Sequence, residues 1–246
     1  MITVERNAGA QRAPQSESQP RVIILLGPPG SGKSTQGDRL STALHIPKLS
    51  TGDLLRAEMA AGTRLGNAVR AVVESGGIVE NAIVNALLAA RLRQSDCEFG
   101  FILDGYPRTI QQAKFLESVC ARFRFAEPVI LDFVLGIDVL LERLTSRQYC
   151  PVCGRTYNLR CERPRTPGHC DNDDARLEQR ADDRRAAVEE RFRNHQRLSR
   201  MLEKHFKASR LHRIAADASP SEIFEKVMSV VAAGNSGMLA AVSPAS

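Results

Sequence analysis

The sequence predicts an α/β protein built on a parallel sheet, and three observations carry that expectation. Residues 22–26 (VIILL) form an uninterrupted β-branched and aliphatic run, the kind that is buried on both faces of a parallel sheet. A glycine-rich turn and a helical pattern over about 33–44 follow it at once. Further short apolar runs at 101–103, 129–135 and 211–215 are separated by stretches with helical spacing, which is the alternation of an α/β chain. With 43% hydrophobic and 25% charged residues, the 246-residue chain can bury one substantial core, so fibrous and wholly disordered classes drop out.

Taken in order, residues 1–20 hold Gln, Ser, Pro and charges without apolar periodicity and read as a disordered extension. The first strand, turn and helix come next. Residues 54–93 read as helices joined by glycine-containing turns, with no central strand, and so as a small helical insertion. Residues 148–179 are rich in Cys, Pro, Gly and Asp and lack helical periodicity. The helix beyond them carries Val188, Phe192, Leu198, Met201 and Leu202 at intervals near three and four, so that face is expected to pack. From Gly234 the chain is small and polar enough to fray. No apolar run approaches the roughly 18 to 20 residues of a membrane span, and the N-terminus lacks a signal-peptide core, so the expected location is the cytoplasm.

The net charge of +6 invites a nucleic-acid reading until it is located. Residues 142–213 hold 18 Lys/Arg against 11 Asp/Glu, while the rest of the chain has 16 against 17. All of the excess therefore lies in one segment, which also contains four of the six cysteines.

Gly27-Pro28-Pro29-Gly30-Ser31-Gly32-Lys33-Ser34 matches GxxxxGK[ST] between an expected strand and an expected helix. Its glycines let backbone N–H groups converge on phosphate oxygens, Lys33 reaches the β and γ phosphates, and Ser34 can hold Mg²⁺. A mere glycine turn capping a helix would not need the Lys-Ser pair. Two more segments, Ser50-Thr51-Gly52-Asp53-Leu54-Leu55-Arg56 and Leu103-Asp104-Gly105-Tyr106-Pro107-Arg108-Thr109, each place an Arg beside a glycine near the end of a strand, where open α/β sheets bind ligands. Asp104 suits a water-mediated Mg²⁺ contact or, alternatively, a cap.

GPPGSGKSTQ, STGDLLR, LDGYPRT and QRADD, in this order and spacing, resemble the adenylate kinase family over about 22–230. The resemblance implies a P-loop NTPase fold, three-layer α/β/α with a central five-stranded parallel sheet, a helical nucleoside-monophosphate-binding insertion and a zinc-ribbon-like lid. The implied boundaries are 21–49, 80–146 and 184–233 for the core, 50–79 for the AMP domain, 147–183 for the lid and 234–246 for a flexible tail. It further implies that Thr51, Arg56, Gly77, Ile78, Val79, Gly105, Tyr106, Pro107, Arg108, Gln112, Arg180 and Arg191 hold AMP. Gly30, Ser31, Gly32, Lys33, Ser34, Thr35, Arg143, Arg147, Thr156, Tyr157 and Ser219 are placed at ATP. Gln112 suits the adenine edge, because one carboxamide can accept from the amino group and donate to the adjacent ring nitrogen. Lys33, Arg108, Arg147, Arg180 and Arg191 would converge on the phosphoryl group of the reaction MgATP + AMP ⇌ 2 ADP, in the service of adenine nucleotide homeostasis. No general base is needed for an acceptor that is already an ionised phosphate. Asp182 and Asp183 order water on Mg²⁺, orient the arginines or cap a helix. GTP as donor, or a pyrimidine nucleotide as acceptor, is the alternative. The family is usually monomeric.

Read separately, Cys150-Pro-Val-Cys153 is a CxxC, and Cys170 with Asp173 repeats its spacing, so the four can supply a tetrahedral structural zinc site. His169, Asp171 and Asp174 are rival fourth ligands, and Cys161 has no role. A zinc ribbon in a basic segment also fits a nucleic-acid protein, but Tyr149 and Tyr157 are the segment's aromatic residues and both fit a lid, so no nucleic-acid partner is expected.

Overall fold

A computed structural model describes residues 21–160, 162–180, 183–206 and 210–236. Strand β1 (Arg21–Leu26) leads through the glycine-rich turn into α1 (Lys33–Leu44), and β2 (Lys48–Ser50) runs directly into α2 (Thr51–Ala60). Helices α3 (Arg64–Glu74) and α4 (Asn81–Arg91) complete the insertion. Then come β3 (Gly100–Asp104), α5 (Ile110–Phe123), β4 (Val129–Val134) and α6 (Ile137–Thr145). Short strands β5 (Arg147–Tyr149) and β6 (Thr156–Asn158) precede α7 (Arg185–His205), β7 (Leu211–Ala215) and α8 (Pro220–Ser236).

The central sheet has the order β2-β3-β1-β4-β7, and every pairing within it is parallel. All four apolar runs of the sequence are strands. The fifth strand, β2, had no such signature: it is three residues long, sits at the sheet edge and buries Leu49 between the half-buried Lys48 and Ser50.

Alternation along β1 builds the three layers. Val22, Ile24 and Leu26 face a core shared with α4, α5 and α7, while Ile23 and Leu25 face a second core with Leu40 of α1 and Ile223, Val227 and Val231 of α8. A strand buried on both faces has no polar side, which is why its sequence reads as a continuous apolar run. Chain connections from β1 and from β3 depart to opposite sides of the sheet, so a crevice opens at the carboxyl ends of these two neighbours.

One packing expectation is corrected. Val188, Leu198 and Leu202 are buried on α7, but Met201 is 44% exposed. At 100° per residue, Met201 falls about 60° outside the stripe that the three buried residues define. Helix α8 continues to Ser236, past Gly234 where the sequence suggested fraying. Residues 1–20 and 237–246, Cys161 and Asp182 lie outside the described residues.

Candidate active site

The glycine-rich turn is positioned by β1 on one side and α1 on the other. Gly30 and Gly32 have φ of 77° and 86°, in the left-handed region that side chains disfavour, and a Cβ on Gly27 would come within 2.7 Å of Ser31 Oγ. Helix α1 begins without a side-chain cap and without an acidic residue in its first turn, so its N-terminal N–H groups and positive dipole end are directed at the turn. Ser31 is fully buried, whereas Ser34 and Thr35 are exposed at the helix start. Ser34 donates from Oγ to Asp104 Oδ2 at 2.5 Å, which joins the end of β3 to the first turn of α1. Lys33 donates to the Pro28 carbonyl at 3.2 Å. Burial lowers its ammonium to about 8; Asp104 opposes this, while Arg191, Arg108 and Arg147 add to it.

Two cavities lie side by side at this edge. Thr51 and Arg56 of α2, the Gly77, Ile78 and Val79 backbone, and Gln112 of α5 line the first. The second is lined by Gly27, Lys33, Gly105 and Pro107. Arg108, Arg191, Gly76 and Ile78 belong to both walls. Arg108 and Arg191 therefore stand where one cavity meets the other. A Cβ on Gly76 would meet the Ala187 carbonyl at 2.8 Å and Arg191 Cγ at 2.9 Å, so the loop before α4 closes tightly on α7.

Several side chains are held in place locally. Arg108 donates from Nε to the Gly105 carbonyl at 3.0 Å, and its backbone N–H donates to Gln112 Oε1 at 2.7 Å. Gln112, expected to use its carboxamide on adenine, thus has one oxygen lone pair engaged internally and offers the other together with its amide N–H groups. Tyr106 is fully buried and its hydroxyl donates to Asn85 Oδ1 at 2.7 Å, so this position offers a ligand its backbone alone. Arg56 is paired with Asp53. Burial raises the Asp53 carboxyl, and the charges of Arg56 and Arg180 with the hydrogen bonds from Arg56 and Ser50 outweigh it, leaving the group below its usual range.

On the other side, Arg143 bridges the Gly30 carbonyl at 3.4 Å and the Ala216 carbonyl at 3.0 Å. Arg147 grips the buried Asp183 with one edge of its guanidinium, Nε and Nη2 donating to the two carboxylate oxygens, with Nε 2.8 Å from Oδ2. Of the alternatives open for Asp183, the structure gives it the orientation of an arginine. Arg180 stacks over the Tyr149 ring at 5.3 Å. Lys33, Arg108, Arg147 and Arg191 act on one another electrostatically, whereas Arg180 stands by Tyr149 and Asp53.

Two of the expected ATP positions are also engaged within the protein. Thr156 is exposed, and the ring of Tyr157 is buried beside Cys170. Ser219 is a helix cap: its N–H donates to Glu222 Oε2 at 2.9 Å, the Glu222 N–H donates to Ser219 Oγ at 3.3 Å, and the Ser219 carbonyl accepts from Ile223. The S-x-x-E pattern at 219–222 was the available signal.

The sulfur and oxygen atoms of Cys150, Cys153, Cys170 and Asp173 all lie within 4.8 Å of one another. Cys153 and Cys170 are 3.5 Å apart at sulfur, and Cys150 Sγ is 3.2 Å from Asp173 Oδ1. The N–H groups of Val152 and Cys153 point at Cys150 Sγ, and that of Asn172 points at Cys170 Sγ, each at 3.4 Å. Three sulfurs and a carboxylate at this spacing, with donors turned toward the sulfurs, suit a tetrahedral cation that binds thiolates. The rivals are otherwise engaged: His169 Nδ1 lies 3.0 Å from the Asp174 carbonyl, Asp171 accepts from the Arg165 N–H, and the Asp174 side chain is 86% exposed.

A family model described as adenylate kinase matches residues 25–211. The chain belongs to the adenylate kinase family. It is 40% identical over 186 residues to the adenylate kinase of Anaeromyxobacter dehalogenans strain 2CP-C, covering 76% of this chain and 87% of that protein. The Bacillus subtilis strain 168 adenylate kinase is 42% identical over 170 residues, 69% and 78% of the two chains. That of Listeria innocua serovar 6a is 34% identical over 211 residues, covering 85% of this chain and 98% of the relative. As a member of the adenylate kinase family the chain is a phosphotransferase of the nucleoside monophosphate kinase type, with adenylate kinase activity. The motifs held Asp53 without a role and did not contain Asn85, Asp132 or His195, each a partner or neighbour of the site through tertiary contact.

Proposed function

We propose that these two cavities hold AMP and MgATP and that the γ-phosphoryl group passes between them at Arg108 and Arg191, giving two ADP. The observation that carries this reading is the common wall: two ligand cavities meet at a pair of arginines, with Lys33 in the second. Thr51, Arg56, the backbone at Gly77, Ile78 and Val79, and Gln112 hold AMP in the first cavity; Gly105, Tyr106 and Pro107 contribute backbone from the segment beside it, where Gly105 and Pro107 line the second cavity. The N-terminal turn of α1, from Gly30 to Thr35, cradles the ATP phosphates, and Arg143, Arg147 and Thr156 complete the donor side.

The pair Ser34 and Asp104 fits a hydrated Mg²⁺ that arrives with the nucleotide, since a hydroxyl and a buried carboxylate meet there at 2.5 Å. Bound Mg²⁺ neutralises charge on the donor phosphates. Lys33, Arg108, Arg147 and Arg191 stabilise the charge of the transferring group, and planar guanidinium forks hold its oxygens in line. An AMP phosphate oxygen attacks without a protein base, because the second pKa of such a phosphate is about 6. Arg147 and Arg180 belong to the lid, so its closure assembles the cluster and excludes water that would otherwise take the phosphoryl group.

The same reading assigns residues 50–79 to AMP, 147–183 to the lid and the remainder of the ordered chain to the core. Cys150, Cys153, Cys170 and Asp173 hold a structural zinc ion with no open position. The enzyme works as a monomer in the cytoplasm and binds no nucleic acid; among the described residues no helix is long and apolar enough to cross a membrane. In a coupled assay, Lys33→Met and Arg108→Ala lower turnover by orders of magnitude while the proteins stay folded. Near-normal rates in either would refute the assignment. Offering AMP, UMP, CMP and GMP with ATP or GTP fixes the substrate pair.

A further inference from the structure

His195 lines the second cavity together with Lys33, Arg108 and Arg191, and lies one turn beyond Arg191 on α7. Behind the ring is Asp132 of β4, a carboxylate with no exposed surface. Ser199, one further turn along α7, donates to Asp132 Oδ2 at 2.6 Å. The other oxygen, Oδ1, is buried without an aligned donor, and the group that faces it is His195 Nε2 at 3.2 Å. No partner for His195 Nδ1 occurs among the described residues.

A buried carboxylate with one neutral hydrogen bond is costly unless a positive group stands next to it. Burial raises the Asp132 carboxyl, but the close approach and charge of His195 and the hydrogen bond from Ser199 outweigh this and leave it below its usual range. The remaining charged groups near the pair are Arg191 on the same helix, Lys33 and Arg108 across the cavity, and Arg213 of β7, which acts on Asp132. From α5, Glu117 faces the far end of α7, where His205 takes it at 3.1 Å. Asp132 is thus the anion against which His195 is set.

We propose that His195 is a further phosphate-binding residue of the transfer centre, its ring set by Asp132 and Ser199 so that Nε2–H serves the carboxylate and Nδ1–H serves a nucleotide phosphate. The proposal rests on the phosphoryl-transfer reading above. The doubly protonated ring is the form that both neighbours favour: a carboxylate accepts from one nitrogen and a phosphate oxygen from the other. The neutral ring with its proton on Nε2 would turn a lone pair toward the phosphate. His195 therefore acts as a donor to phosphate and not as a catalytic base.

The test is steady-state kinetics on the full chain for the parent, His195→Gln, and Asp132→Asn/His195→Gln. The double substitution removes both side chains of the pair together and so leaves no orphaned buried carboxylate if the single variant fails to fold. In each folded variant kcat/KM for MgATP falls about tenfold, the worth of one charge-assisted hydrogen bond, while KM for AMP stays close to that of the parent. A KM for AMP that changes as much as that for MgATP would mark His195 as structural and overturn the proposal. So would an unchanged kcat/KM for MgATP. Independently, the imidazole ¹⁵N signals of His195 should show an Nδ1–H hydrogen-bonded to phosphate when the bisubstrate analogue diadenosine pentaphosphate is bound, and an Nδ1 without that proton refutes the contact. If Lys33→Met remains active the transfer reading itself fails; if Lys33→Met is dead while His195→Gln matches the parent, this proposal fails and that reading stands.

Discussion

Lys33 must carry its charge where the protein disfavours it. Its ammonium is drawn down to about 8 by burial and by Arg191, Arg108 and Arg147, with Asp104 pulling the other way. Because the unfolded chain binds this proton up to about pH 10.4, the nucleotide-free native state is penalised below pH 8, and the penalty is relieved as pH rises through the interval between the two values. ATP phosphates reverse the balance by supplying the missing anions. Acylation of Lys33 by an amine-reactive reagent, followed by peptide mass spectrometry, should therefore show a midpoint near pH 8 without nucleotide, and a higher midpoint or outright protection with ATP. An ordinary lysine midpoint without nucleotide would mean that burial and the neighbouring cations do not act on Lys33 as the structure has it. Lys33, Ser34 and Arg108 stand inside motifs, whereas Arg191 was named through the family resemblance alone. Asp183 was one of several readings, Asp53 stood in a motif without a role, and Asp132 was not read at all, because a counter-ion is chosen by proximity across the fold and not by a place in a pattern.

Helices α2 and α3 show how an element places a site. A Cβ on Gly66 would lie 2.1 Å from the Glu58 carbonyl oxygen and 2.6 Å from the Met59 nitrogen, both backbone atoms that cannot swing aside. The glycine lets α3 cross the end of α2 at this distance, and Thr63 caps α3 through the Gly66 N–H at 2.9 Å. Gly66→Ala must push the two helices apart and shift Thr51 and Arg56 relative to Gly77, Ile78 and Val79. The expected result is a severalfold rise in KM for AMP with little change in KM for ATP, together with a lower melting temperature; equal KM values in parent and variant would show that the pair has room. Long periodic elements were readable ahead of the structure, and α1 begins and ends where its pattern did. The three-residue β2 was not, because its pairing with β3 and not its own composition makes it a strand. The cap at Ser219 was written in the chain, yet the competing reading of that position as a nucleotide contact obscured it.

Across the molecule, two cores on the faces of one sheet hold the central body, whereas the lid has a cluster of four buried residues, two of them the candidate ligands Cys150 and Cys170. So small a cluster cannot offset the ordering entropy of about thirty residues, which is why a cation is expected to staple it. Native mass spectrometry of protein prepared without chelator should show one zinc per chain, and Cys150→Ser should lower the melting temperature more than the rate. A metal-free native protein would overturn the site. The surplus of positive charge in 142–213 takes its meaning at this level: Arg147 is locked to Asp183, Arg180 lies over Tyr149, and Arg191 stands between the two cavities. Sequence alone determined the α/β class, the phosphate turn, the helical insertion and the cysteine knuckles, since each follows from local spacing and backbone demands. Which anion stands beside an arginine such as Arg147 and where two cavities share a wall were decided by the tertiary structure, because those are distances between groups far apart in the chain.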